Sequence, residues 1–430
     1  MHTKTEENDG LAEDRLGLAI RKPEATAGAN SVNIQFETGP SARIFDYSVF
    51  CVEVGAGCKA EPVSTVATGS LTRTISTIDA TVTGLFYNTT YDCYVTASSD
   101  FADKCQLVPV TTTPPPLDVN LIGRNGLSTL GSYFKSDVTS TDVATWSDSI
   151  TQDATWTSLS GQRAAINWLD LPAPTPDTNG LYYVDNITEW VANYQSRIPA
   201  GFPEGWTKVT SEIGTTVNQA DMKMDIYGDG LVAWVGVAPY GFWAVKDFTA
   251  SGATWDVNVP FVPVVSASMD RNHVALGIEG DTEWIVGYTP DIFASSDSAD
   301  FTTIVSYPIA DSIIVENVAL SGRFLAWVAD GTSGPSDVHS IYYVDLLSAD
   351  PSDPTAEYVP IEIPLPETFA VDKDVQISIA GTTMVAVSEG NENGGVASTA
   401  DFRTVTAGSW VIQNDGVDLD QVDASFNVVY

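Results

Sequence analysis

The chain has 430 residues, 43% of them hydrophobic and 10% aromatic, enough apolar material for packed cores and incompatible with a wholly disordered chain. Its formal charge of −37 comes from 56 acidic residues against only 19 basic ones; the acidity therefore reflects missing bases, and such a surface repels nucleic acid and anionic membranes. No apolar run reaches the roughly 18–20 residues of a membrane-spanning helix, so no membrane insertion is expected.

Residues 1–19 form a polar, acidic extension without the apolar core of a signal peptide, which counts against secretion unless the numbering starts after a cleaved leader or inside a longer precursor. From residue 20 a period-2 alternation takes over. SVNIQFETG, YSVFCVEVG, TRTISTIDATVTGL and TTYDCYVTAS read as half-buried strands rich in Val, Ile, Thr and Tyr. All four cysteines, Cys51, Cys58, Cys93 and Cys105, fall in this stretch. An even, clustered set in a β-rich segment points to two disulfides and an oxidising compartment. The sequons at Asn88 and Asn186 add two candidate glycosylation sites, and the expectation is an extracellular or cell-surface glycoprotein.

TTTPPPLD at 111–118 reads as a stiff, extended Thr/Pro linker. Residues 1–115 carry 14 acids and 8 bases, net −6, which leaves −31 for the remainder. Beyond the linker, five segments repeat an apolar pair around a small residue: QRAAINWLD, GLVAWVGVA, HVALGIEGD, RFLAWVADG and TTMVAVSEG. Their alanines are Ala165, Ala233, Ala275, Ala326 and Ala386, spaced by 68, 42, 51 and 60 residues. Another short strand precedes each, a turn such as YGDG, LSGR or IAGT lies between in most, and aromatic strands such as GLYYVDNI and SIYYVDLL follow several of them. EWVANYQSR at 189–197 is the best helical candidate. The fold class is all-β.

Two resemblances follow from these residues. ATVTGLFYNTTYDCYVTAS, with Leu85 before a strand that begins at Tyr91, resembles the E–F segment of fibronectin type III modules, with IFDYSVFCVEV as strand C and Phe36 in place of the usual strand-B Trp. The resemblance implies a sandwich over residues 20–110 that serves as a spacer or protein-binding unit. Within it, Cys51–Cys93 would bridge strands C and F. The local staples Cys51–Cys58 and Cys93–Cys105 are favoured, because Cys58 and Cys105 are expected at opposite poles. The repeats over 119–430 resemble β-propeller blades, most nearly of the FG-GAP type through ISIAGTTMVAVSEG. Six blades are favoured, with five or seven also open. The sixth is assembled from DQVDASFNVVY and from strands around LSTLGSYFK and ATWSDSI, so that both ends of the unit share it.

Catalytic patterns are scarce. His2, His273 and His339 are scattered, and no GxSxG, P-loop or GxGxxG occurs. SGATW at 251–255 and STDVATW at 140–146 depart from the Asp-box of propeller sialidases, whose arginine triad would need to come from Arg124, Arg163, Arg197, Arg271, Arg323 and Arg403. No catalytic or cofactor-binding residue is assigned. Asp415, Asp418, Asp420 and Asp423 are the calcium candidates, although they lack the EF-hand spacing. Trp190, Tyr194 and Trp206 lie in an aromatic insertion at 187–215 that offers a binding surface for a sugar or a protein. The expected role is structural or adhesive and non-enzymatic. Its partners are other protein subunits, foremost copies of the chain itself in an appendage, filament or layer. A lectin, or a propeller glycoside hydrolase or lyase, is the alternative.

Overall fold

A computed structural model of the chain describes residues 20–28, 31–38, 45–60, 62–71, 77–83, 85, 89–98, 104–112, 119–125, 131–136, 154–168, 179–194, 205–216, 222–236, 240–260, 263–294, 301–331, 338–348, 357–369, 374–388, 395–413, 419 and 421–426. The chain divides into two compact units, Met1–Pro115 and Pro116–Tyr430, and both are built almost wholly of antiparallel strands.

The first unit has seven strands: β1 (Ile20–Ala27), β2 (Ser31–Thr38), β3 (Phe45–Glu53), β4 (Ala67–Leu71), β5 (Thr77–Thr83), β6 (Thr90–Ser98) and β7 (Lys104–Thr111). They form two sheets, in the orders β1-β2-β5 and β4-β3-β6-β7. Alternation does the work expected of it: Val32, Ile34 and Phe36 of one sheet face Val49, Cys51, Tyr91, Cys93 and Val95 of the other in a common core.

The disulfides join Cys51 to Cys93 and Cys58 to Cys105, with Cα atoms 3.9 and 6.4 Å apart. This corrects the expected local staples. Cys51 and Cys93 are register partners on β3 and β6 and fully buried. Cys58 does not stay at a pole. Gly55 and Gly57, both left-handed at φ 84° and 81°, turn the chain back after β3. Cys58 and Ala60 then pack on Phe50, Val52 and Tyr94, on the face of the sheet opposite the core. Cys105 of β7 lies on that same face, since its neighbour by alternation, Leu107, is the register partner of Tyr94.

The second unit opens with β8 (Val119–Asn125) and β9 (Gly131–Lys135). Five four-stranded sheets follow, each a meander in chain order. The first is β10 (Ala154–Ser160), β11 (Arg163–Trp168), β12 (Gly180–Val184) and β13 (Thr207–Lys208), with helices α1 (Ile187–Tyr194) and α2 (Glu212–Thr216) between or after its last strands. The second is β14 (Met222–Tyr227), β15 (Gly230–Val235), β16 (Gly241–Val245) and β17 (Val257–Pro260). The third is β18 (Val264–Asp270), β19 (His273–Glu279), β20 (Glu283–Thr289) and β21 (Thr302–Pro308). The fourth is β22 (Ile313–Ser321), β23 (Phe324–Gly331), β24 (Val338–Asp345) and β25 (Ile361–Ile363). The fifth is β26 (Val375–Ala380), β27 (Thr383–Ser388), β28 (Val396–Thr399) and β29 (Val411–Gln413). The final strand, β30 (Gln421–Phe426), returns to pair with β8 in the order β30-β8-β9. The two ends of the unit thus share a sheet, with β8 in the middle of its described strands; ATWSDSI, residues 144–150, lies outside the described set.

The five repeated alanines sit on β11, β15, β19, β23 and β27, all with no exposed surface, where only a small side chain lets neighbouring sheets close. The hairpin before each is reversed at Gly161, Gly228, Arg271, Gly322 or Gly381, with φ between 58° and 62°. Arg271 holds that left-handed geometry without being glycine, a strain of about 1–2 kcal/mol. The first strand of each meander touches the first strand of the next, from β10 through β14, β18, β22 and β26, and β30 touches both β26 and β10. Sheets of antiparallel strands set around a closed ring of inner strands are the architecture of a β-propeller.

Candidate functional site

An inner strand is the edge of its sheet, so its outward N–H groups lack a ladder partner and must be satisfied some other way. Here side chains do it, always from one inner strand to the next. Ser158 Oγ accepts Ile226 N–H at 3.0 Å and Ser160 Oγ accepts Gly228 N–H at 2.8 Å. Asp225 takes Met269 N–H at 2.7 Å, Ser268 takes Leu320 N–H at 3.1 Å, and Asn317 takes Ile377 N–H at 2.8 Å. Ser378 takes Ala424 N–H at 2.9 Å. The ring is closed by β30, where Gln421, Asp423 and Ser425 accept the N–H groups of Thr157, Leu159 and Gly161 at 3.2, 2.6 and 2.7 Å.

These strands surround a polar cavity of about 40 Å³, lined by Asp225, Asp423, Gln421, Asn317 and Ser266 with Trp156 and Trp234. That is space for a few water molecules. Asp225 and Asp423 keep a little exposed surface toward it and are otherwise enclosed. Burial pushes both carboxyls above the ordinary carboxylate range, and for Asp423 the nearby Asp225 charge adds to it. Ser158 Oγ lies 2.8 Å from an oxygen of each. A hydroxyl has one proton to donate, so one of these contacts needs the carboxyl as donor. The pair accordingly holds one proton between them to higher pH than free carboxyls do.

Of the calcium candidates, Asp423 is therefore placed in the channel, where Ser158, Leu159 and Ser378 occupy its oxygens; Asp415, Asp418 and Asp420 lie outside the described residues. The expected binding surface at Trp190 and Trp206 is corrected. Both are buried, 4% and 7% exposed, and meet edge to face at 5.9 Å in a core with Trp168, Tyr182 and Ile187. The insertion pins its own aromatics because α1 turns its apolar stripe inward; the Tyr194 side chain lies outside the described set. Asn186 Oδ1 accepts Glu189 N–H at 2.9 Å and caps α1, while Asn88 and His2 are not among the described residues.

Four of the six propeller arginines are held by acidic neighbours in separate sheets: Arg163 by Asp185 and Asp229, Arg271 by Asp270, Arg323 by Asp345 and Arg403 by Asp401; Arg197 and the Arg124 side chain lie outside the described set. His273 Nδ1 lies 2.6 Å from Tyr288 Oη. Burial, with the Arg271 charge, holds this imidazole down to about 4 and so neutral.

One group escaped sequence reasoning altogether. Glu316 of β22, Asp330 of β23 and His339 of β24 bring one donor atom each within 4.8 Å of one another. Asp330 and His339 are register partners on adjacent strands. Glu316 is the extra residue of a bulge in β22, where Val315 faces Ala329 but Asn317 faces Val328; a bulge re-aims the side chain it carries.

No protein-family profile matches the chain, and no curated protein matches it. Solved structures do. A DUF4784 family protein from Bacteroides caccae is 12% identical over 95% of this chain and 100% of that one, with a TM-score of 0.36. A quinonprotein alcohol dehydrogenase-like protein from Bacteroides thetaiotaomicron is 9% identical over 88% and 81%, at 0.31. The β-propeller domain of the Trilobed protease from Pyrococcus furiosus is 10% identical over 72% and 79%, at 0.32.

Proposed function

We propose that the chain is a non-enzymatic extracellular protein that works through protein–protein contacts, with a fibronectin type III-like sandwich followed by a six-bladed β-propeller. The six-membered ring of inner strands supports the blade count. The sandwich assignment draws on the three-plus-four strand order and the buried Leu85 and Tyr91. Two disulfides favour an oxidising compartment.

The observation that carries the contact role is on the sandwich. Val54, Val63, Val66 and Leu107 are 62%, 43%, 48% and 51% exposed, on and around a loop that Cys58–Cys105 ties to the edge strand β7. Apolar side chains on a covalently fixed surface lose little entropy when a partner covers them. The partner is another copy of the chain in a surface appendage, filament or layer. A contact between unlike units of successive copies propagates as a filament unless its rotation closes a ring. The acidic charge makes association depend on salt or calcium.

Sedimentation and light scattering of the full chain over a concentration series, with and without calcium, test the reading. The expected result is concentration-dependent association that is lost when Val54, Val63, Val66 and Leu107 are changed together to Ser. A chain that stays monomeric in every condition overturns it.

A further inference from the structure

We propose that Glu316, Asp330 and His339 form a site for a divalent transition metal of the zinc class, built into one sheet of the propeller. Three strands supply one ligand each. Asp330 and His339 stand opposite one another on β23 and β24, and the bulge in β22 turns Glu316 toward them. The site is enclosed: His339 and Asp330 are 3% and 6% exposed, and the Glu316 side chain is 16% exposed.

Charge balance leaves room for a cation, and two facing donor atoms lack an aligned hydrogen bond. Two carboxylates and one imidazole in a buried site carry a net negative charge even when the imidazole is protonated, and uncompensated buried charge is costly. Asp374, close enough to act on His339 by its charge, adds to that potential. A divalent ion with a neutral imidazole balances the two carboxylates. His339 Nδ1 and Glu316 Oε2 are 3.3 Å apart, yet neither atom makes an aligned hydrogen bond although both are shielded from solvent.

The donor set selects the ion. Nitrogen and oxygen ligands hold zinc at about 2.0–2.2 Å, so a shared ion needs its donors within about 4 Å of one another. Donors already within 4.8 Å reach that spacing by closing up about 1 Å. Calcium and magnesium prefer all-oxygen shells, whereas imidazole with carboxylate suits zinc and its neighbours. Three protein ligands leave a position for water or a further carboxylate.

The test uses the full chain, stripped with EDTA and dialysed at pH 7.5 in moderate salt. Calorimetric titration with zinc chloride, with metal content measured after gel filtration, is expected to give one equivalent that excess calcium does not displace. Glu316→Gln and His339→Gln are each expected to weaken that binding by at least about 10-fold, while His2→Gln leaves it unchanged. Because His339 is buried, circular dichroism and melting of each variant establish that it is folded, and the less buried Glu316→Gln serves if His339→Gln is not. Absence of a bound equivalent, an equivalent that persists in a folded Glu316→Gln or His339→Gln protein, or ready displacement by calcium overturns the assignment.

Discussion

Replacing Asp225 by Asn keeps the channel contacts to Met269 and Ser158 and removes one of its two carboxyls; Ile226 N–H, which Asp225 Oδ1 also accepts at 2.9 Å, keeps Ser158 Oγ as its acceptor. The Asn oxygen takes Met269 N–H, the amide donates to Ser158 Oγ, and the Ser158 proton goes to Asp423, the acceptor it faces at 2.8 Å. In the native protein both carboxyls have their proton affinity raised by burial. Folding therefore takes up a proton at a pH above the ordinary carboxyl value of about 3.9. A group whose folded value is raised loses its contribution as pH rises, because the unfolded chain ionises first. For one shared proton that loss is at most about 1.4 kcal/mol per pH unit, or about 3 kcal/mol from pH 5 to pH 7. In a unit of this size each kcal/mol moves the melting temperature by about 2 °C. Asp225→Asn is thus expected to gain up to about 6 °C on the native protein between pH 5 and pH 7. His273 and His339 are common to both proteins, so the difference cancels them. Scanning calorimetry of the pair at pH 5, 6, 7 and 8 measures it. Parallel melting curves, or a variant less stable at every pH, would refute the shared proton.

Peptide mapping without reduction should recover Cys51–Cys93 and Cys58–Cys105, and any Cys51–Cys58 peptide would contradict the register of β3 and β6. Replacing either bridge by two serines should cost about 4 kcal/mol in the chain-entropy account for loops of this length, read as urea stability of the first unit. Trp190→Ala should cost about 3–5 kcal/mol of propeller stability, measured by chemical unfolding; a variant as stable as the native protein would show that this ring is not part of the core. Removing residues 421–430 takes away β30 and the three N–H acceptors that close the ring, so the second calorimetric transition should vanish or broaden while that of the sandwich persists.

The parts of the fold legible in the sequence were those written in local periodicity. Alternation announced the strands, Ala165, Ala233, Ala275, Ala326 and Ala386 marked the second strand of five sheets, and Gly228, Gly322 and Gly381 marked three of the five hairpins. A finer repeat was also present. Asp247, Asp291, Asp345 and Asp401 each bond the N–H two residues on, and each is followed by a buried Phe, Ile or Leu. What depended on register was not legible. Cys51 meets Cys93 because β3 and β6 pair with those residues opposite, and spacing favoured the nearer partner. Glu316, Asp330 and His339 converge through one hairpin register and one bulge, neither of which a pattern of residue types encodes.

The acidity acquires a partial structural origin from the same geometry. Every inner strand of the ring presents backbone donors, so the positions beside them call for acceptors: Ser, Asn, Gln or Asp. Asp225, Asp270 and Asp423 fill three of them, accepting from Met269, Gly322 and Leu159. The turns after the third strands make the same demand and are filled by Asp247, Asp291, Asp345 and Asp401. A lysine or arginine, which can only donate, meets neither demand. An architecture that repeats a donor-rich edge around a ring thus selects carboxylates at each repeat, only some of which are offset by arginines, as Asp270, Asp345 and Asp401 are by Arg271, Arg323 and Arg403, and it adds negative charge to the propeller.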